Sequence, residues 1–273
     1  MITNFIKKII NHVKIDDTIS AANDMTFKLF FSIFPFSIFL MSIMGFLNFD
    51  FELITAQILS VLPYSLADPV NFFIKEIEIT AVKNFNILSF SLIGSIYGAS
   101  SGFKTAMRSI NKAYGRKDMR KFFVKIIISV ILVFIFTVII IISFALLIFG
   151  KNILDFIKNN FIDYMSKSFI YLLNISRYAL SIIIMFFSVI LINKLALYKN
   201  KKTSIKSLFP GTAFTVFSWV AISGLFNIYI DNFSNYSALY GSIAAVIILM
   251  LWLNIMCIVL LLGSEINAVI ISL

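Results

Sequence analysis

Polar residues are sparse over long stretches of this chain. A transmembrane helix needs about 20 mostly apolar residues, and six stretches meet that length. They cover Phe27–Leu47, Phe85–Phe103, Ile126–Phe149, Phe169–Leu195, Leu208–Ile230 and Leu239–Gly263. Only Ser129, Thr137 and Ser143 interrupt the third. The fourth carries Arg177, and the first carries Lys28 and Pro35. The pattern predicts an all-α fold, a polytopic membrane bundle of six transmembrane helices plus short interfacial helices. One membrane domain is expected over residues 1–273, with the bundle over 27–268. The first span reads as a retained anchor, because "MGFLNFDFE" after it lacks the small-residue site of a cleaved signal peptide.

Two flanking segments alternate differently. In "FIKKIINHVK", Phe5, Ile6, Ile9, Ile10 and Val13 share one helical face, and Lys7, Lys8, Asn11 and Lys14 lie opposite. Such a basic amphipathic helix suits an anionic leaflet, so residues 1–26 are expected to form a cytoplasmic amphipathic segment. His12 falls on its polar side and reads as an ordinary solvated histidine. Residues 64–83 mix apolar and charged positions and predict a short helix at the outer surface.

Composition agrees with a bilayer solvent. The chain of 273 residues is 60% hydrophobic and 13% charged, with a mean hydropathy of +0.98, against about 25% charged in soluble domains. Net charge is +10. Sixteen basic residues fall in the N-terminal segment and the second and fourth loops, and five fall in the remaining loops. By the positive-inside rule both termini are expected in the cytoplasm. One Cys and one His exclude a disulfide framework and leave no Cys/His metal cluster. No metal and no cofactor are expected. The phosphate-loop pattern G-x-x-x-x-G-K-[ST] is absent, which excludes a pump driven by its own nucleotide hydrolysis.

Polar and small residues inside the spans are the candidate site. Gly94, Gly98 and Gly102 recur every fourth residue, a spacing that lets helices approach backbone to backbone. Ser218, Ser223 and Gly224 in the fifth span offer a partner surface for them. Pro35 removes a helical donor, and Ser32 is placed to re-satisfy the freed carbonyl. Asn254 and Glu265 are 11 residues apart, which puts them on one stripe about 16 Å long. That stripe reads either as a helix-pairing seam or as the lining of a polar pathway. Arg177 pairs best with Asp231 at the outer end, and Glu265 with Lys28 or Lys104. Lys104, Arg108, Lys112 and Arg116, spaced four apart on one helical face, form with Arg120 a basic cytoplasmic face suited to anionic lipid headgroups. No interleaved aromatics could stack bases there, so membrane lipids are the expected partners and nucleic acid is not.

Together these residues resemble the YihY/BrkB family of bacterial inner-membrane proteins, over about Ala21 to Ala268. "FKLFFSIFPFSIFL" is similar to the family's Ser-x-x-Pro first helix through Ser32 and Pro35. "YGASSGFKTAMRSINKAYGRKDMRKF" resembles its second-helix exit and basic loop through Ser101, Asn111, Tyr114 and Arg120. "FPGTAFTVFSW" carries the Pro-Gly start of the fifth helix at Pro210 and Gly211. The C-terminal block resembles the family at Tyr229, Tyr236, Tyr240, Gly241, Trp252, Gly263, Glu265 and Asn267. The sequence departs from the family in "LINKLALYKN", which lacks a proline after the tyrosine, and at Asn254, where related chains commonly carry an aromatic.

The resemblance implies a six-helix bacterial plasma-membrane protein with cytoplasmic termini. It implies no established activity. Members have carried a ribonuclease label, but this sequence offers no evident cluster of carboxylates and histidines for catalytic metals. No enzymatic activity is expected. The leading functional expectation is a transporter or exporter of an unidentified substrate, with a lipid or an amphiphile as the expected class. The alternative is a non-transporting envelope scaffold or partner protein.

Overall fold

A computed structural model describes residues 2–46, 56, 71, 75, 85–138, 167–198, 203–232 and 242–272. Among these the structure is helical, with turns and no strand. Helix α1 covers Ile2–Asp16, α2 covers Thr18–Phe46 and α3 covers Phe85–Ala113. Helix α4 covers Phe122–Val138, and α5 covers Lys167–Ala196. A 3-10 turn, Lys206–Leu208, leads into α6, Phe209–Asn232, and α7 covers Ser242–Ile271. The described parts of the six expected spans lie on these helices or, at Leu208, on the 3-10 turn, and residues 139–149 of the third span lie outside the described residues. Among the described residues three segments are long and apolar enough to cross a membrane, Ala179–Ala196, Lys206–Phe226 and Val246–Ile271. The expected outer helix over 64–83 lies outside the described residues, apart from two positions.

Local chemistry explains the breaks. Asp17 adopts a left-handed φ of 54°, which short polar side chains tolerate better than most. The chain turns there, and Asp16 ends α1 as Thr18 starts α2. Helix α3 stops in a Schellman turn at Gly115, whose φ is +61°. Gly115 N–H donates to Lys112 O and Arg116 N–H to Asn111 O, both at 2.8 Å, the two bonds that define this cap. Pro210 sits in the first turn of α6, where no helical partner for its nitrogen is required.

Helix α2 packs along α3, and α7 packs against both α6 and α2. The buried core gathers Met25 of α2, Phe103, Met107 and Ile110 of α3, Leu132 of α4, Val189 and Ile192 of α5, Val216 of α6 and Leu261 of α7. Phe90, Tyr97, Phe134, Phe187, Phe217 and Leu225 are exposed on the outside. A single chain in water would not leave that much aromatic surface open, whereas lipid solvates it. The N-terminal helix, the α3–α4 connection, the end of α5 and the end of α7 gather at one end of the bundle. Lys8 Nζ donates to Ser272 Oγ at 3.1 Å, and Lys112 Nζ to Ile15 O at 3.2 Å.

Candidate functional site

At that end Glu265 is fully buried although it lies near the end of its helix. Its Oε1 accepts the Thr18 hydroxyl at 2.7 Å. Its Oε2 accepts no hydrogen bond and lies 3.8 Å from His12 Nδ1, which is also buried and without a hydrogen-bond partner. Asp16 is one helical turn from His12, on the same face of α1. One donor atom from each of His12, Asp16 and Glu265 lies within 4.8 Å of the other two. Burial pushes the Asp16 carboxyl up from its ordinary value, against the opposing charges of Lys112 and His12. The Tyr114 phenol is likewise pushed up by burial and by the Glu265 charge, which outweigh Arg116.

This arrangement corrects three expectations. His12 is half-buried and faces a carboxylate, so it is not simply solvated. The chain's one histidine can be brought together with carboxylates after all, because helices remote in sequence converge here. Glu265 is neither at open water nor paired with Lys28 or Lys104. Lys28 Nζ instead donates to Asp24 Oδ2 at 2.6 Å and to Thr105 Oγ1 at 2.9 Å, and Thr105 donates to the same Asp24 oxygen at 2.8 Å. Lys104 Nζ lies over the Tyr97 ring, 5.7 Å from its centre. The Arg177 and Asp231 side chains, expected to pair, lie outside the side chains described.

Asn254 and Glu265 do share a stripe, and the stripe faces α2. Asn254 Nδ2 donates to Asn23 Oδ1 at 2.8 Å and to Thr26 Oγ1 at 3.2 Å, while Glu265 takes its bond from Thr18 at the start of the same helix. The glycines of α3 also face α2, not the fifth span. A Cβ on Gly98 would meet Ser32 Cβ at 2.8 Å, one on Gly102 would meet Leu29 Cδ2 at 2.9 Å, and one on Gly94 would meet Pro35 Cβ at 3.4 Å. Ser32 and Pro35 thus belong to the glycine seam. Ser32 donates to Leu29 O at 2.6 Å and not to the Phe31 carbonyl that Pro35 leaves free. The Gly224 position has nothing within 4 Å among the described residues, which removes it as the seam's partner.

Residues 9–272 match the family described as virulence factor BrkB. The chain belongs to the BrkB family. It is 28% identical to the ribonuclease-like protein YfkH of Bacillus subtilis (strain 168) over 269 residues, 97% of this chain and 94% of that one. It is 35% identical over 72 residues, 26% of this chain and 24% of the other, to the UPF0761 membrane protein PSHAa0171 of Pseudoalteromonas translucida (strain TAC 125). No solved structure matches it significantly. The family and the apolar helices together make this a membrane protein.

In this BrkB-family chain the basic residues divide into two kinds. They do not form one helical face, because α3 ends at Ala113. Arg120 donates to Leu195 O at 3.3 Å and Ala196 O at 2.7 Å, and Arg116 to Tyr198 O and Thr203 Oγ1, both at 3.1 Å. These guanidinium groups satisfy carbonyls at and just beyond the end of α5, where the helix leaves acceptors open and its dipole favours a cation. Buried Asn111 completes the joint, donating to Ala196 O at 2.8 Å and accepting from Tyr198 N at 2.6 Å. Lys104, Arg108 and Lys112 remain on α3 itself, and Arg108 is exposed.

Several structural residues escaped the stripe and glycine patterns. Ser264 Oγ donates to Asn193 Oδ1 at 2.7 Å, joining α7 to α5. Gly211 N–H donates to Asn267 Oδ1 at 2.7 Å, joining α6 to α7. The available signal was an amide inside an apolar helix, since each of these asparagines needs a partner once buried. An apolar groove of about 340 Å³ separates α4 from α5, bordered by Phe134, Ile135, Val138, Ile184, Phe187 and Leu191, with Ser188 its one polar lining residue among the described residues.

Proposed function

We propose that this chain is a six-span bacterial plasma-membrane protein, with both termini in the cytoplasm, that transports or exports an amphiphilic substrate and has no enzymatic activity. The groove between α4 and α5 carries this reading. Its size and nearly all-apolar lining suit an acyl chain or similar tail better than an ion. The orientation rests on the excess of basic residues in the segments gathered at the α1 end. Anionic headgroups at that face would meet Lys104, Arg108 and Lys112, with Arg116 and Arg120 already engaged at the end of α5.

The test is reconstitution into liposomes holding a fluorescent short-chain phospholipid, with dithionite quenching of the outer leaflet. Transbilayer movement should exceed that of protein-free vesicles and fall when Leu191→Trp fills the groove. No movement above the protein-free rate would remove the lipid reading. Equal movement by wild type and Leu191→Trp would remove the groove from it.

A second reading is a non-transporting scaffold or partner protein. The hydrogen bonds that hold the Asn254 stripe against α2 favour it, since they join two helices instead of lining a passage. Stable co-purification with another envelope protein, together with no lipid movement, would select this reading.

A further inference from the structure

A buried carboxylate oxygen with no hydrogen bond is costly, and native structures satisfy such atoms. Glu265 Oε2 is such an atom, on a side chain 1% exposed. The atom it faces, His12 Nδ1, is also without a hydrogen bond, and their 3.8 Å separation is beyond hydrogen-bond reach. Two orphaned polar atoms facing one another, with a second carboxylate beside them, leave room for something between them.

We propose that His12, Asp16 and Glu265 bind a divalent first-row transition-metal ion, of the Zn²⁺ or Mn²⁺ class, between α1 and the end of α7. One imidazole and two carboxylates form the ligand set that borderline divalent ions accept. Metal–ligand distances of about 2.0–2.2 Å place tetrahedral donors about 3.4 Å apart. The 3.8 Å gap from His12 to Glu265 closes to that value through small side-chain rotations. The helical spacing of four that puts His12 and Asp16 on one face presents both to the ion from α1. Thr18 donates to Glu265 Oε1 at 2.7 Å, which fixes that carboxylate and leaves Oε2 for the ion, the usual task of an outer hydrogen bond at a metal ligand.

The charges balance. Two carboxylates neutralise a divalent ion, and Lys112, whose charge acts on both, makes its hydrogen bond to the Ile15 carbonyl. His12 and Asp16 are half-exposed, so an ion can enter from the α1 side. Bound there, it would fasten the amphipathic helix to the last helix of the bundle. This site is independent of the groove and of any transport.

The test uses the full chain in detergent, carried on a tag without histidines and stripped with a chelator. Equilibrium dialysis against Zn²⁺ and against Mn²⁺, with metal content read by mass spectrometry, should give a single ion per chain for at least one of them. Co²⁺ loading should give visible d–d absorption. His12→Gln and Asp16→Asn, both on the half-exposed helix, should each weaken binding about tenfold or more while the circular dichroism stays that of wild type. Absence of stoichiometric Zn²⁺ and Mn²⁺ binding by wild type would overturn the proposal and leave a plain His12–Glu265 contact. Unchanged affinity in both variants would overturn it too, by placing the ion elsewhere.

Discussion

Gly211 of α6 and Gly263 of α7 meet so closely that a Cβ on Gly211 would fall 1.9 Å from the Gly263 carbonyl oxygen and 2.6 Å from Asn267 Cγ. The same contact lets the Gly211 N–H, an orphan donor of the first helical turn, reach Asn267 Oδ1 at 2.7 Å. Close approach and a bonded amide are two parts of one joint, because a side chain on either glycine would separate the helices and strand the amide.

Gly211→Ala is therefore expected to destabilise the protein by at least the ~1–3 kcal/mol typical of overpacking, since the obstacle is backbone and cannot rotate away. Gly224→Ala, where nothing lies within 4 Å among the described residues, should be neutral or stabilising by up to about 1 kcal/mol, because alanine is the better helix former. Thermal unfolding in detergent, followed with a dye that reacts with the buried thiol of Cys257, measures both. Equal midpoints for the two variants would refute this account of the α6–α7 joint.

The glycine seam between α2 and α3 gives a graded series. On Gly98 a methyl group would press on Ser32 Cβ and, at 3.2 Å, on Ser32 Cα. On Gly102 it would meet the end of Leu29, which can move, and on Gly94 only an ordinary contact with Pro35. Alanine should thus cost most at Gly98, about 1–3 kcal/mol, and less at Gly102. At Gly94 it should be neutral or stabilising by up to about 1 kcal/mol, because alanine is the better helix former. The same unfolding assay ranks them, and a different order would sink the seam geometry.

The four-residue spacing of Gly94, Gly98 and Gly102 announced a packing seam, and Ser32 and Pro35 were separately conspicuous. That the two sets face one another was not legible, because periodicity fixes the face of a helix but not its neighbour. The same limit explains Glu265. Its stripe with Asn254 followed from helical geometry, whereas its partners Thr18 and His12 lie some 250 residues away in sequence and arrive only through folding. Arg116 misled for a local reason. A spacing of four suggests one helical face only while the helix continues, and Gly115 ends it.

Asp24 sets a pH dependence. Desolvation opposes ionisation of its carboxyl, but hydrogen bonds from Lys28 and Thr105, with the charges of Lys28 and Arg108, outweigh it and hold its pKa below the ordinary value. A depressed folded-state pKa contributes stability above the ordinary carboxylate pKa of about 3.9. That contribution is lost as pH falls through the folded value. The Asp24 side chain is 45% exposed, so solvent screening limits the effect to about 0.2–1 kcal/mol. Asp24→Asn should lower stability by this amount at pH 7, and the gap from wild type should shrink as pH drops below 4. A gap that widens on acidification would contradict the sign.

Cys257 reports whether water enters the stripe. It lies three residues beyond Asn254 on α7 and is 3% exposed. The Asn254 amide beside it is bonded to Asn23 and Thr26. A small hydrophilic thiol reagent applied to membrane vesicles should leave Cys257 unlabelled, while the denatured protein reacts fully. Losing Asn254 alone should not open the seam, since an interhelical hydrogen bond in a membrane averages about 0.6 kcal/mol and the apolar packing of α7 on α2 remains. Asn254→Ala should therefore stay protected too. Labelling of the native wild type would mean that water reaches the helix face beside the amide, and that this row of polar groups lines a pathway. Protection in both proteins would assign Asn254 to helix pairing and confine any moving substrate to the lipid-facing groove between α4 and α5.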